Sequence, residues 1–173
     1  LTGCQKELWL SAKAALSDYA ETSIRGCYHI DALLDPDLLR QTIKRTLHFT
    51  PLPAASLCQD EAEPYFLVGE PQEPDFRVLD AATQPDPDAA ADRMIDEFFE
   101  EPVENPLMRY ALVITGEASC IVAMKCSHVV LDGLAFFFHI AVIADVYTAL
   151  ARGETPDLGE PCSCEEAYLE DQA

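Results

Sequence analysis

Basic side chains are scarce in this chain. Eleven Lys and Arg stand against 31 Asp and Glu in 173 residues, a formal charge of -20 with neutral His. A field of that sign repels phosphate backbones and anionic lipid, so neither nucleic acid nor a membrane is expected as a partner. The acids are dispersed between apolar periodic segments, which is the pattern of a solvated surface and not of a disordered tail.

A disulfide framework is also missing. The seven cysteines are odd in number, and Cys4, Cys27, Cys58, Cys120 and Cys126 are scattered, three of them inside apolar or strand-like runs where Cys acts as a small hydrophobe. Cys162-Ser-Cys164 has no second pair at ligand spacing, so no metal is expected, and a reducing, cytoplasmic setting fits. There is no P-loop, dinucleotide fingerprint or repeat, and hence no bound nucleotide is implied. The longest apolar run, residues 131–146, is interrupted by Asp132, His139 and Asp145 and reads as too short to span a bilayer. Leu1 opens no signal peptide, and the missing initiator Met suggests a segment of a longer chain.

Half of the residues are apolar, enough to build the core of one compact domain. Leu1, Cys4, Leu8 and Ala12 space a first helix starting near Thr2, with Trp9 as its anchor. Residues 22–31 alternate as a strand, and Asp35-Pro36 then supplies an N-cap and a first-turn Pro for a helix over residues 36–48. Its apolar stripe is Leu38, Leu39, Ile43 and Leu47. The stretch PLPAASLCQDEAEPYFLV reads as strand, acidic turn and strand, and residues 75–79 as a further short strand. QPDPD turns into a helix over 88–100, with Met94, Ile95, Phe98 and Phe99 on one side. LMRYALVI, a turn at residues 115–117, and CIVAMKCSH form an antiparallel hairpin whose second strand is apolar on both faces and therefore central. A helix follows Asp132-Gly133 to about residue 151, with Leu134, Phe137, Phe138, Ala141, Ala144 and Leu150 read as its core stripe. The whole is an α/β fold, a two-layer sandwich of a mainly antiparallel sheet with helices. The lobe occupies residues 1–153, and residues 154–173 form a polar connection.

Chemistry concentrates in CSHVVLDGLAFFFH, residues 126–139. On a regular strand through His128, that residue shares its face with Cys126, Met124 and Val122, while Ser127 points the other way. A Ser127–His128 nucleophile pair is thereby rejected. A histidine at a strand end beside a helix N-terminus suits proton transfer, although a partly buried structural His fits the position too. Asp132 reads either as an N-cap or as the acid of a buried ion pair, for which Arg109, set in an apolar strand, is the best cation. Gly133 allows the chain to turn closely and leaves an N–H open, useful either for a tight turn or for a substrate carbonyl.

Taken together, these segments resemble the condensation domains of nonribosomal peptide synthetases, within the chloramphenicol-acetyltransferase-like acyltransferases. The family's His-His-x-x-x-Asp-Gly motif is matched by Ser127-His128-Val129-Val130-Leu131-Asp132-Gly133. Gln5, Leu8 and Trp9 in the first helix match the family's opening motif; Asp35, Leu38 and Leu39 fit the next helix. Pro106, Leu107 and Arg109 match its Pro-Leu-x-Arg strand, and the hairpin, the His motif and the helix ending at Tyr147 complete the order. Two positions depart from the pattern. Ser127 stands for the first motif His, and Pro53 for the second Arg of the Arg-His-x-x-Leu-Arg motif that His48 and Leu52 otherwise fit.

The resemblance implies that His128 is the active-site histidine, deprotonating or positioning the acceptor amine as it attacks a donor thioester, with Gly133 beside the reacting groups. It implies that Asp132 is structural, through a salt bridge to Arg109. Phosphopantetheine would arrive on partner peptidyl or acyl carrier proteins, with no cofactor bound by the lobe. The family domain has two such lobes around a tunnel, so this N-terminal lobe alone is expected to be inactive without its C-terminal lobe and neighbouring synthetase domains. The other readings are a non-catalytic module recruiting a carrier protein or tailoring enzyme, and an oligomeric acetyltransferase using a histidine across a subunit interface.

Overall fold

Strands whose residues are apolar in succession, rather than alternately, must be covered on both faces. The computed structural model, which describes residues 1, 3–14, 23–59, 64–69, 73–103 and 105–159, places β5 (Met108–Gly116) and β6 (Ser119–Ser127) at the centre of a four-stranded sheet. Its order is β1-β6-β5-β4, with β1 at Ser23–Ile30 and β4 at Asp75–Asp80. The β5–β6 hairpin and the β1–β6 pair are antiparallel, whereas β4 runs parallel to β5. That parallel pair needs a crossover, supplied by α3 (Pro87–Glu100). The strand–turn–strand expected near residue 60 is a separate two-stranded ribbon, β2 (Ser56–Gln59) with β3 (Pro64–Leu67). Its acidic turn lies outside the described residues, as do Thr2, Cys162 and Cys164.

The helices begin where their capping chemistry says they should. The Asp35 carboxylate accepts from the N–H groups of Asp37 and Leu38, at 2.8 and 3.1 Å, and Pro36 occupies the first turn of α2 (Pro36–Phe49). Asp86 caps α3 in the same way through Ala89 N at 3.2 Å. The first helix, α1, runs from Gly3 to Ala14.

The expected α/β fold of a mainly antiparallel sheet with helices is found, but α2 and α4 cover one face of the sheet and α3 the other, so the layers are three and not the two expected. Leu39, Ile43 and Leu47 of α2 join Phe136 and Ile143 of α4 (Gly133–Ala151) over Met108, Tyr110, Leu112, Val122 and Met124. On the opposite face α3 sets Ala90, Ala91, Ile95 and Phe98 over Ala111, Val113, Ile121 and Ala123. Small residues on that face of the sheet let the helix approach closely.

Two expectations about α4 are corrected. The buried stripe is Phe136, His139, Ile143 and Val146, whereas Leu134, Phe137 and Phe138, assigned to the core from their spacing, are 67%, 65% and 62% exposed. A helix apolar all round has no period to reveal which side faces inward. The run is also not too short: extending to Ala151, α4 is the one helix among the described residues long and apolar enough, by length and composition, to cross a membrane. Its inner side is nonetheless packed on α2 and the sheet.

Candidate functional site

β6 stops at Ser127, one residue before the histidine. Ser127 N donates to Leu107 O at 2.9 Å, its carbonyl accepts from Val130 N at 3.1 Å, and its hydroxyl accepts from Val129 N at 3.4 Å. The side chain that replaces the first motif His thus holds the turn on which His128 is displayed. Strand parity does not govern His128, because it sits in that turn and not on the strand. Val129 and Val130 are buried beside it. His128 itself is half-buried, with Nδ1 enclosed and without a hydrogen-bond partner. An enclosed polar nitrogen left unpaired costs stability, a cost that packing alone gives no reason to retain.

Asp132 takes the N-cap role. Its carboxylate accepts from Ala135 N at 2.7 Å, and Phe136 N donates to its carbonyl at 2.9 Å. The cap leaves Gly133 and Leu134, the first two helical residues, with N–H groups that an α-helix does not satisfy internally, at the electropositive end of α4. Gly133 is exposed, its φ is not in the left-handed region, and a Cβ there would meet nothing within 4 Å. Of the two uses read for it, a tight turn does not require glycine here; open space is what its missing side chain leaves.

The expected Asp132–Arg109 ion pair is not formed. Arg109 shares its strand face with Ala111 and Val113, under α3, while Asp132 caps the helix on the other face. Arg109, 7% exposed, has its guanidinium held by Asp75 (Nε to Oδ2, 2.7 Å) and Glu101 (Nη2 to Oε2, 2.8 Å), Asp75 being its register partner on β4. Glu101 also grips Arg77 with both oxygens, at 2.5 and 2.8 Å. Hydrogen bonding from Arg77, then from Arg109, pulls the Glu101 carboxyl down to about 2 despite its partial desolvation. Next to Arg109 in register, buried Lys125 donates to the carbonyls of Phe99 and Glu101, where a cation closes the C-terminal end of α3. Burial pushes its pKa down, and Arg25 and Arg109 add to the effect.

A cleft of about 480 Å³ opens between the end of α2, the β2–β3 ribbon and the start of β5, with Leu47, Pro53, Leu67, Asp75, Asn105 and Met108 on its walls. Pro53, the second departure from the family pattern, is one wall of it. His128 does not line this cleft, but Met108, which does, pairs in register with Cys126, two residues before the histidine. Among the described residues no group of three His, Cys, Asp or Glu is placed to hold a metal ion.

Two positioning roles escaped the sequence reading. Gly26 on β1 faces Phe136, so that a Cβ there would come within 2.8 Å of the ring. It makes the seat for the first buried residue of α4. Tyr147 anchors the other end of α4, its hydroxyl accepting from Asp35 N at 2.9 Å. The Gly inside an alternating strand was the available signal for the first.

No family model matches the chain. Among curated proteins it is 26% identical over 167 residues to the dimodular nonribosomal peptide synthase of Bacillus subtilis (strain 168), covering 90% of this chain and 7% of that protein. A 55-residue stretch, 32% of the chain, is 36% identical to 1% of a linear gramicidin synthase of Brevibacillus parabrevis. In structure it is similar to the starter condensation domain of rhizomide synthetase, with a TM-score of 0.89 and 23% identity over 99% of this chain and 42% of that one. The first condensation domain of the calcium-dependent antibiotic synthetase gives 0.87, also at 23% identity and the same coverage of both chains. The chain thus spans less than half the length of the solved domains it matches. It has the fold of the N-terminal portion of the condensation domains of nonribosomal peptide synthetases, the family its motifs resemble.

Proposed function

We propose that this lobe carries the histidine half of a condensation site, in which a carrier-bound acyl or peptidyl thioester is joined to a carrier-bound amine. Condensation domains are acyl- and peptidyl-transferases. The observation that carries the reading is His128: it is displayed on a hydrogen-bonded turn directly before a capped helix, with one ring nitrogen left unpartnered. In the reaction the amine nitrogen attacks the thioester carbonyl, the C–S bond breaks, and the products are an amide and the free thiol of the donor's phosphopantetheine arm. His128 takes the proton from the amine or holds the amine in line for attack. The N–H groups of Gly133 and Leu134 at the start of α4 are suited to the oxygen that gains charge during attack. Phosphopantetheine comes with peptidyl or acyl carrier proteins in the cytoplasm, and the lobe itself holds no cofactor. Asp132 and Arg109 serve architecture separately, one by capping α4 and the other by tying β4 and β5 to the end of α3.

The test is peptide formation from carrier-bound substrates, with this lobe alone and with the C-terminal half of its domain. Product only when both halves are present, lowered at least a hundred-fold by His128→Ala, is the expected result. Full turnover by the lobe alone, or by the His128→Ala domain, would sink the proposal. A recruiting module without chemistry is favoured by one observation, the Ser127 that stands in the motif, and its docking would survive His128→Ala intact.

A further inference from the structure

The cleft between the end of α2, the β2–β3 ribbon and the start of β5 has no part in the chemistry proposed above, and His128 does not line it. Its volume of about 480 Å³ lies in the range of small-molecule sites. The walls are apolar at Pro53, Leu67, Pro74 and Met108, and polar at Glu73, Asp75 and Asn105. Leu67 is 60% exposed, and Tyr65, 43% exposed, stands on the same face of β3 two residues earlier. Apolar surface left in water beside a hollow is area that a bound molecule would remove from solvent.

The charges around the hollow choose the ligand. Among the described residues no Lys, Arg or His is on its walls, whereas two carboxylates are. Each carboxylate is only half used. Asp75 gives Oδ2 to Arg109 at 2.7 Å, and its Oδ1 has Arg77 Nε at 3.8 Å, beyond hydrogen-bond reach. Glu73 gives Oε1 to Lys44, and its Oε2 accepts no hydrogen bond among the described residues. We infer that the cleft binds a small organic cation, an ammonium group on an apolar body. The ammonium donates to the open oxygens of Asp75 and Glu73 as charge-assisted hydrogen bonds, and the body lies against Leu67, Pro53 and Met108. The same carboxylates and the chain's charge of -20 repel a phosphate, so the occupant differs from a phosphopantetheine arm.

Hexylammonium, hexanoate and hexanol carry the same apolar chain with a positive, a negative and no charge. Titrating each into the 173-residue chain, followed residue by residue by NMR, tests the inference. Hexylammonium should give saturable shifts at Leu67, Gly69, Asn105 and Met108, with an affinity about ten-fold above that of hexanoate. Glu73→Gln, at an exposed side chain that the fold does not need, should lower the hexylammonium affinity about three-fold and leave hexanol unaffected. Leu67→Ser should weaken both, whereas Phe137→Ser/Phe138→Ser, at the exposed rings of α4, should weaken neither. Hexylammonium without saturable shifts at the cleft overturns the inference. So do shifts centred on Phe137 and Phe138, hexanoate binding as tightly as hexylammonium, or an affinity that Glu73→Gln and Leu67→Ser both leave as it was. None of these readouts involves peptide formation, so failure here leaves the reading of His128 where it stands.

Discussion

Tyr110 Oη and His139 Nε2 lie 2.8 Å apart, in the buried layer between β5 and α4. Burial holds the imidazole neutral by pushing its pKa down to about 4, so the phenol donates and Nε2 accepts. The unfolded chain binds a proton near 6.5, whereas the folded chain resists until about 4. Stability from this group is therefore complete above 6.5 and declines as pH falls through that window, by about 3 kcal/mol at most. Urea unfolding at pH 7 and pH 4.5 should show this loss in the wild type and a smaller one in His139→Gln, which cannot titrate.

The acid network on the other face titrates lower. The Glu101 carboxyl, pulled down to about 2 by Arg77 first and Arg109 second, contributes stability above the ordinary carboxylate range that is lost as pH falls toward 2. Because its side chain is 41% exposed, screening limits what the network is worth, and Glu101→Gln should cost about 1 kcal/mol at pH 7. Double-mutant cycles separate the two views of Arg109. Coupling of about 1–3 kcal/mol is expected between Arg109 and Asp75, and none beyond about 0.3 kcal/mol between Arg109 and Asp132. Coupling with Asp132 would return that pair to the site.

What the sequence conveys and what it hides divides along physical lines. The order of elements, the Asp35 cap and the β5–β6 hairpin are local chemistry, and each stands where the residues put it. The parallel pairing of β4 with β5 was latent in the strand–helix–strand order, yet a pairing is a relation between distant segments and leaves no local mark. Arg109 was misassigned because its partner was sought along the motif. Its strand parity with Ala111 and Val113 already placed it on the α3 face. The facing of α4 could not be read at all, since Leu134 and Phe137 are as apolar as Phe136 and Ile143. His128 and Asp132 were singled out through the motif they resemble, but the end of β6 at Ser127, which decides how the histidine is shown, depends on hydrogen bonds to Leu107 and Val130.

Gly26 provides a sharper test of how α4 is seated. A methyl group there would lie 2.8 Å from the Phe136 ring, itself 3% exposed, so the ring must shift within a closed layer. Gly26→Ala should cost about 1–3 kcal/mol, as overpacking of a filled core does. Combining it with Phe136→Leu should recover part of that loss, because the smaller side chain vacates the contact. If Gly26→Ala raises the melting temperature, as relief of backbone entropy alone would, the close seat is wrong.

His128 separates stability from chemistry. Its enclosed Nδ1 has no partner, so folding gains nothing from that nitrogen and pays to desolvate it. A structural histidine would be missed by the fold; one retained for a reaction would not. His128→Leu, which keeps bulk and removes both nitrogens, should leave the lobe's unfolding free energy unchanged or raise it by up to about 1 kcal/mol. The same substitution in the complete domain should abolish peptide formation. A lobe destabilised by about 2 kcal/mol or more would show instead that the ring is held by partners, and the case for His128 as a reacting group would lose its physical basis.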